Sequence, residues 1–416
     1  MSSERSDAQV TNHESPEVNT PLKIGIYEET DKLKTVAIWG PVGAEACLTQ
    51  LFPEEISLFL SHMDVREARR ECESFSSTLR QSFGVKVIEV RDELAQTITP
   101  GNLKKEQIQK ELLEKADAIV AQYQPNLTPS QIKYNKNSII ELLDEDIQKY
   151  GQDRALTLNH ILSLTRYLPL GNALYARDQM NVLLDKIIVA NMAKPIRKPE
   201  VALYSMIYNK ILEPGSNIKI PNSETFEGGD AYVHNSNVYV GIGARTTINA
   251  AQHLYEKLKV SLKEKNFGFV LVVDENPIGR NPNELMDFMH LDTFSMPIGP
   301  KQILVCEEEA RSRKVYVPYT TKQGSQFVSI EKTFFEFLEG ENEDIVIVPK
   351  EEQSTFGVNL LVIDNRTILV PLESNENTIS QLNKTGKNIL NLDLAECTKG
   401  YGAAHCMTGQ LLRVPE

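Results

Sequence analysis

The sequence lacks the features that mark secreted and membrane-spanning proteins. No apolar run approaches the ~18 residues that a transmembrane helix needs. The polar N-terminus has no basic segment followed by an apolar one, so it does not have the pattern of a signal peptide. We therefore expect no membrane partner.

The cysteines and histidines are too scattered along the sequence to predict a disulfide framework or a metal site. The five cysteines are odd in number and widely spaced, at Cys47, Cys72, Cys306, Cys397 and Cys406. They predict neither a disulfide framework nor a zinc site, and they favour a reducing, cytoplasmic location. The seven histidines include no His-x-x-x-His pair, and a metal site would need more ligands than any one motif supplies.

Basic residues are also in the minority. The chain has 44 Lys and Arg against 57 Asp and Glu, a formal net charge of −13. Nucleic-acid binders carry clustered Lys and Arg, so this balance argues against a nucleic-acid partner. It fits a cationic or neutral substrate, although many cytosolic proteins are acidic.

The sequence has the composition of a globular protein, and its 416 residues are enough to bury a large core. Residues 1–21 lack aromatic and β-branched clusters and predict a disordered tail. Residues 22–94 and 169–416 contain short strand-like runs with occasional helices, which indicates a mixed α/β architecture of small ββαβ-like units. Between them, apolar residues at three-to-four spacing predict an all-helical insertion over residues 95–168.

A run of small residues ends in a cysteine near the C-terminus, from Gly400 through Ala403 and Ala404 to Cys406. Glycine and alanine let a backbone approach a ligand closely. A cysteine at the end of such a run can be exposed on a tight turn rather than packed in a helix. If Cys406 is a nucleophile, it needs a base, a charge partner and a substrate pocket from elsewhere in the chain.

Three motifs could supply them, and each has a structural alternative. Residues 172–178, from Asn172 to Asp178, could form a turn with an internal salt bridge. The Phe226-to-Asp230 run could be a hairpin turn, or its glycines could let two carboxylates point at a ligand. In a strand, His290 and Asp292 would share one face, yet a surface ion pair is more common for this spacing.

A fourth motif, residues 241–247, resembles half of a dinucleotide fingerprint. It lacks the third glycine and the acidic residue that should follow, so we reject nucleotide binding here. Arg245 could pair with an acidic ligand group or with a structural carboxylate, and the sequence leaves both open.

The motifs together supply a thiol, an imidazole and several carboxylates. A free cysteine titrates near ~8.5, so a thiolate needs help at neutral pH. Carboxylates bind a guanidinium through paired charge-assisted hydrogen bonds, and a cationic group beside the sulfur favours the thiolate. Because guanidinium carbon is a poor electrophile, a strong and soft nucleophile suits it.

In this combination and order the motifs resemble the arginine deiminases of the guanidino-modifying (pentein) superfamily. The resemblance covers most of the chain, from the run Gly25-Ile26-Tyr27 through Glu227-Gly-Gly-Asp230 and His290-Leu-Asp-Thr293 to the terminal His405-Cys-Met-Thr408. It implies a five-bladed α/β propeller of ββαβ units with an inserted helical domain. It also implies hydrolysis of L-arginine to L-citrulline and ammonia, no cofactor or metal, and a homo-oligomer of two or more subunits.

The resemblance also implies roles for individual residues. Cys406 would attack the guanidinium carbon and form a thiouronium, His290 would be the acid and base, and Glu227 would orient His290. Asp178 and Asp292 would hold the guanidinium nitrogens. The amino-acid end of the substrate would contact the following residues: Asn172, Arg197, Arg245, Leu51 and Gly400. Asp230 lies in a matching motif with a less defined role.

The chain departs from the family at three places near the site. Residues 175–179 read Tyr-Ala-Arg-Asp-Gln instead of Phe-Thr-Arg-Asp-Pro, and Tyr401 occupies the place of an arginine. After the His-Leu-Asp-Thr motif, where an aspartate usually follows closely, the chain reads Phe-Ser-Met-Pro-Ile over residues 294–298. Related activities therefore stay open: another guanidino hydrolase, an arginine dihydrolase, an amidinotransferase or a non-catalytic arginine-binding protein. An amino-acid substrate is favoured over agmatine, which has no carboxylate for Arg197 and Arg245 to bind.

Overall fold

The structure is a computed structural model that describes residues 21–277, 289–321, 324–371 and 376–416. Apart from Pro21, the predicted disordered tail lies outside the described residues. The described strands, in chain order, are β1 (Lys32–Ile38), β2 (Lys86–Glu89), β3 (Met180–Leu183), β4 (Lys186–Val189), β5 (Asn217–Lys219), β6 (Ala231–His234), β7 (Asn237–Ile242), β8 (Gly268–Val273), β9 (Ser295–Gly299), β10 (Gln302–Cys306), β11 (Lys314–Thr321), β12 (Gly324–Thr333), β13 (Asp344–Val348), β14 (Leu361–Asp364), β15 (Thr367–Pro371), β16 (Asn388–Leu392) and β17 (Gly409–Val414).

The helices lie mainly in the connections between these strands. They are α1 (Ala44–Thr49), α2 (Glu54–Ser57), α3 (Val65–Phe83), α4 (Val90–Thr97), α5 (Lys105–Tyr123), α6 (Pro129–Tyr150), α7 (Gln152–Asn159), α8 (Lys198–Ile211), α9 (Ile248–Lys265), α10 (Glu307–Ser312), α11 (Phe334–Gly340), α12 (Lys350–Gln353) and α13 (Glu376–Lys384). Within the described ranges, no helix is both long and apolar enough to cross a membrane.

The strands form five sheets that repeat one arrangement. Four sheets have three strands, in the orders β17-β1-β2, β3-β4-β5, β13-β10-β9 and β14-β15-β16, and the fifth has the order β12-β11-β8-β7-β6. Each contains an antiparallel pair next to a parallel pair, as in β3–β4 with β4–β5 and in β6–β7 with β7–β8. A parallel pair needs a crossover connection, which α8 and α9 supply in these two sheets. The expected mixed α/β content of ββαβ units is therefore present.

The last strand closes onto the first. β17 pairs antiparallel with β1, from Lys32 opposite Val414 to Ala37 opposite Gly409. Because Cys406 lies three residues before β17, this pairing fixes the terminal loop beside the start of the chain.

The region predicted to be helical, residues 95–168, contains the end of α4 and the whole of α5, α6 and α7. A capping box begins α6, where the Thr128 side chain accepts from the Gln131 backbone and Pro129 follows as the first helical residue. Apolar residues of α5 and α6, such as Leu112 and Leu142, belong to the same buried cluster as Val36 of β1. The division of residues 95–168 from the rest as a separate inserted domain stays a prediction.

Two predicted elements are divided in the structure. The apolar spacing from Pro53 to Phe83 predicts one helix, but the structure interrupts it, because Leu58 adopts a left-handed conformation (φ 61°) and Asp64 then caps α3. The apolar run from Val182 to Val189 predicts one strand, but it forms a tight hairpin, because Leu184 also has a positive φ of 56°. Periodicity alone detects neither break, since non-glycine residues rarely adopt this conformation.

Candidate active site

Cys406 lies in the turn before β17 and is buried, with 1% of its surface exposed. This differs from the exposed thiol that the small residues suggested. The Asn359 side chain holds the turn: its Oδ1 accepts from the backbone N–H groups of Ala403 and Cys406, both at 3.1 Å. Its Nδ2 lies 3.1 Å from Cys406 Sγ. Asn359 therefore holds both the turn and the thiol in a buried position.

Tyr175 explains why the terminal run needs glycine. A Cβ at Gly400 would lie 2.2 Å from the Tyr175 hydroxyl oxygen, and a Cβ at Gly402 would lie 2.4 Å from the Tyr175 ring and 3.0 Å from Cys406 Cβ. The Tyr175 hydroxyl donates to the Cys397 carbonyl at 2.7 Å. The ring therefore packs directly under the loop that precedes the thiol.

Tyr401 joins this loop to the N-terminal part of the chain. It adopts a left-handed conformation (φ 65°) and is 5% exposed. Its hydroxyl donates to Glu54 Oε1 in α2 at 3.0 Å, and the neighbouring Lys399 carbonyl accepts from the Leu60 N–H at 2.7 Å. Where the family pattern has an arginine, this chain thus has a neutral side chain bonded to an acid.

His290 and Glu227 form a buried pair. Nε2 of His290 lies 2.9 Å from Glu227 Oε2, and Arg245 Nη1 donates to the same carboxylate at 3.2 Å. The Ala193 N–H donates to Glu227 Oε1 at 2.9 Å. Burial raises the pKa of Glu227, but Arg245 and His290 outweigh that effect and hold it well below its usual range. Glu227 is therefore an ionised carboxylate that fixes the imidazole.

Asp178 approaches the other side of the imidazole. Its Oδ1 lies 3.7 Å from His290 Nδ1 and accepts from the Gly229 N–H at 3.2 Å. Its Oδ2 accepts from Arg197 Nη1 at 2.6 Å. Burial lowers the pKa of His290, but Asp178 and Glu227 reverse this and raise it to about 9. At neutral pH the imidazole is a cation that can donate a proton.

Asp292 lies next to the sulfur, with Oδ2 3.9 Å from Cys406 Sγ. Its principal partner is His405, whose Nδ1 is 2.6 Å from the same oxygen. The sequence interpretation placed His290 and Asp292 on one face of a strand, and this is wrong. Residues 291–293 form a short 3-10 turn, so the imidazole points toward Glu227 while Asp292 points toward the terminal loop.

The structure places the remaining predicted residues as follows. Asn172 Nδ2 donates to the Ser57 carbonyl at 2.7 Å, and Arg197 Nη2 donates back to the Asn172 carbonyl at 3.1 Å. Arg197 is also bonded to Glu200, at 3.1 Å from Nε. Leu51 is fully buried in the first apolar cluster. The two predicted carboxylate-binding arginines, Arg197 and Arg245, are thus held by protein acceptors.

Asp230 contacts the backbone of the histidine motif. Its Oδ1 accepts from the Leu291 N–H at 3.0 Å. Burial raises the pKa of Asp230 to about 7, although His290 opposes the shift. Asp230 therefore positions the turn that carries His290 and Asp292. Within the Phe226-to-Asp230 run, Gly228–Asp230 form a 3-10 turn before β6 rather than the turn of a hairpin.

One ligand atom from each of Asp178, Glu227 and His290 lies within 4.8 Å of the others, a spacing that could hold a metal ion. In this structure the two carboxylates of the cluster bind guanidinium cations instead of a metal ion. Asp178 is already paired with Arg197, and Glu227 with Arg245.

Asn359 was not among the residues singled out from the sequence, although it contacts the sulfur directly. It precedes a strand-like run and carries no charge, so no pattern in the sequence distinguishes it from other asparagines. Only the fold reveals it, because the segment before β14 passes beside the terminal loop.

Comparison with known proteins shows the family of this chain. A model of the family described as arginine deiminase matches residues 57–413, which is most of the chain. The chain belongs to the arginine deiminase family. It is 25% identical over 418 residues to the arginine deiminase of Borrelia recurrentis, covering 94% of this chain and 98% of that protein. It is 25% identical over 433 residues to the arginine deiminase of Listeria monocytogenes serovar 1/2a, with coverages of 94% and 98%.

Solved structures of the pentein superfamily share the fold at low sequence identity. A dimethylarginine dimethylaminohydrolase from Pseudomonas aeruginosa, complexed with citrulline, matches with a TM-score of 0.52 and 14% identity over 92% of this chain and 100% of that one. The amidinotransferase SxtG from Microseira wollei matches with a TM-score of 0.53 and 16% identity over 94% and 97%. Family membership supports an amidino hydrolase that acts on an arginine-like small molecule.

Proposed function

We propose that this protein is an arginine deiminase that hydrolyses L-arginine to L-citrulline and ammonia through a covalent intermediate on Cys406. One observation carries the proposal: the Cys406 thiol lies 3.9 Å from the buried carboxylate of Asp292. A thiol beside an ionised carboxylate is poorly activated, unless a cationic group binds between them. The guanidinium of arginine is such a group.

Substrate binding would activate the sulfur. Burial raises the pKa of the Cys406 thiol well above its usual range, and Asp292 and Asp178 raise it further. A guanidinium held by these two carboxylates cancels their charge and places a cation beside the sulfur, which favours the thiolate. The site is thus arranged to ionise Cys406 only when substrate is present.

The thiolate would then attack the guanidinium carbon and form a carbon–sulfur bond. His290, a cation at neutral pH, gives its proton to one terminal nitrogen, and the carbon–nitrogen bond breaks to release ammonia. A thiouronium remains on Cys406. His290 next removes a proton from water, which attacks the same carbon, and the carbon–sulfur bond breaks to give citrulline. Glu227 keeps the imidazole in place through both steps.

The amino-acid end of arginine would contact Arg197, Arg245, Asn172, and the backbone of Leu51 and Gly400. Arg197 and Arg245 already pair with Asp178 and Glu227. A substrate carboxylate would therefore bind guanidinium groups that these two acidic side chains already hold in place.

We also propose that the five sheets are the blades of a five-bladed propeller with residues 95–168 inserted, since all five contain the same pairing of an antiparallel and a parallel strand. A cytoplasmic homo-oligomer belongs to the same proposal.

The test is to assay citrulline and ammonia from L-arginine with the wild-type protein and Cys406→Ala. We expect one ammonia for each citrulline and no turnover by the variant. Two ammonia with ornithine would instead identify a dihydrolase, and amidine transfer to an added amine would identify an amidinotransferase. Tight binding of arginine without product would contradict the enzymatic proposal.

A further inference from the structure

The Asn359 side chain uses all of its hydrogen-bonding capacity around the thiol. An asparagine amide offers one oxygen with two lone pairs and one NH2 group with two protons. Here Oδ1 accepts from the backbone of Ala403 and Cys406, each at 3.1 Å. Nδ2 faces the Asp292 carbonyl at 3.4 Å and Cys406 Sγ at 3.1 Å. The side chain is fully buried.

These contacts determine which end of the amide faces the sulfur. The two neighbours of Oδ1 are N–H donors, so that position requires an acceptor. The Asp292 carbonyl is an acceptor, so the other end requires a donor. A flipped amide would lose three hydrogen bonds in a buried site, where each unmade bond costs about 1–3 kcal/mol. The group that touches Sγ is therefore an N–H donor.

We propose that Asn359 is a catalytic residue that stabilises the Cys406 thiolate through its Nδ2–H group. The role rests on the proposed function of Cys406 as the nucleophile. A hydrogen bond to an ionised acceptor is roughly twice as strong as one to a neutral acceptor. The Nδ2–H···S contact therefore strengthens when the thiol ionises, and it needs no rearrangement because the other three amide bonds hold it in place.

The surrounding charges make this donor important. The titratable groups that act on Cys406 include Asp292 and Asp178, whose negative charges disfavour a thiolate. The buried Tyr175 hydroxyl also interacts with Cys406, but it already donates its proton to the Cys397 carbonyl. The donor acts when Sγ begins its attack on the guanidinium carbon, and again when Sγ leaves as a thiolate during hydrolysis of the intermediate.

The experiment measures the ionisation of Cys406 without substrate. Wild-type protein, Asn359→Ala and Asn359→Asp are treated with iodoacetamide across the range from about pH 6 to about pH 10, and mass spectrometry follows the peptide that contains Cys406. The aspartate variant keeps an oxygen for the two backbone N–H groups but, once ionised, offers Sγ no proton. Asn391→Ala is the matched control, because Asn391 is an exposed asparagine in β16.

We expect alkylation of Cys406 to be at least tenfold slower at pH 7 in both Asn359 variants, which corresponds to about one pKa unit. Because burial and Asp292 raise the pKa of Cys406 well above its usual range, the difference should persist across the whole pH range, and Asn391→Ala should match the wild type. An unchanged profile in both variants would overturn the role. So would slow alkylation in Asn359→Ala with a wild-type profile in Asn359→Asp, because the side chain would then only anchor the loop.

This readout is independent of arginine turnover. If the wild-type protein released no citrulline, the proposed function would fail while the alkylation profile still tested the donor. If citrulline formed and the profiles were identical, the donor role alone would fail. Should Asn359→Ala not fold, Asn359→Asp decides the outcome, since it preserves the backbone contacts of the loop.

Discussion

His405 Nδ1 lies 2.6 Å from Asp292 Oδ2, and both side chains are completely buried. The second ring nitrogen of His405 is 3.1 Å from Glu29 Oε1, and Glu29 pairs with Arg177 at 3.4 Å. The carboxylate beside the Cys406 thiol is therefore the end of a buried chain of charged groups. The residue next to Cys406 in sequence thus controls the orientation of one of its two acidic neighbours.

The first prediction concerns His405→Ala. Without the imidazole, Asp292 loses the contact that fixes Oδ2, so the guanidinium should be held less firmly in both the ground and the transition state. We expect KM to rise and kcat/KM to fall at least tenfold, about 1.4 kcal/mol. Steady-state assays of citrulline formation measure both parameters. His253→Ala, on α9, is the control, and a loss of thermal stability with unchanged kcat/KM would contradict the positioning role.

The second prediction concerns Asp178→Asn. The substitution preserves size but removes the charge that Asp178 presents to Arg197 and His290. We expect kcat/KM for L-arginine to fall by at least tenfold, or about 1.4 kcal/mol, since one guanidinium partner becomes neutral. Asp393→Asn removes a charge at an exposed position and should leave kinetics unchanged. An effect of less than tenfold would argue against direct contact between Asp178 and the substrate.

The third prediction concerns Gly402→Ala. The added Cβ would lie 2.4 Å from the Tyr175 ring, so the ring or the loop must move. Because Cys406 Cβ is also only 3.0 Å away, we expect misplacement of the nucleophile and a loss of at least 100-fold in kcat. Gly243→Ala is the matched control, since its Cβ would meet Asp274 at an ordinary 3.7 Å. Equal activity of the two variants would show that the loop can adapt.

Residue types and motifs in the sequence indicated the charged components of the candidate site. Cys406, His290, Glu227, Asp178 and Asp292 were singled out because the chemistry needs a thiol, a base and acids. The role of Glu227 in orienting His290 came only from the resemblance. The His-x-Asp spacing by itself pointed to Asp292, whereas a turn at residues 291–293 separates the two side chains. The partner is Glu227, which is 63 residues distant in the chain.

For the fold as well, the sequence predicts features that depend on local pattern and misses features that depend on long-range packing. The alternation of strands and helices indicated ββαβ units, since periodicity is a local property. The breaks at Leu58 and Leu184 were missed because a left-handed backbone at leucine leaves no signal in composition. Asn359 was missed for a different reason. Its importance depends on β14 and the terminal loop lying side by side, which only the packed structure determines.

The last prediction concerns pH and His234, outside the site. His234 is fully buried, with Nδ1 2.9 Å from Glu28 and Nε2 3.1 Å from Glu343. Burial lowers the pKa of His234, but the two carboxylates outweigh this effect and raise the pKa from its ordinary value of about 6.5 to about 9. Because the folded-state pKa is the higher one, the protonated imidazole stabilises the fold fully below about pH 6.5. That stabilisation is lost as pH rises through about 9.

A shift of this size is worth up to about 3 kcal/mol. We therefore expect the free energy of unfolding of the wild type to decrease between about pH 6 and about pH 9 more steeply than that of His234→Gln. Urea titrations at the two pH values measure the difference, and comparing the variant with the wild type removes the parallel contribution of His290. Glu28 and Glu343 face the ring from opposite sides, so losing its charge leaves two buried or half-buried carboxylates without a cation. If the two proteins lost stability equally over this range, the imidazole would be neutral in the folded state and the ion pairs would contribute nothing.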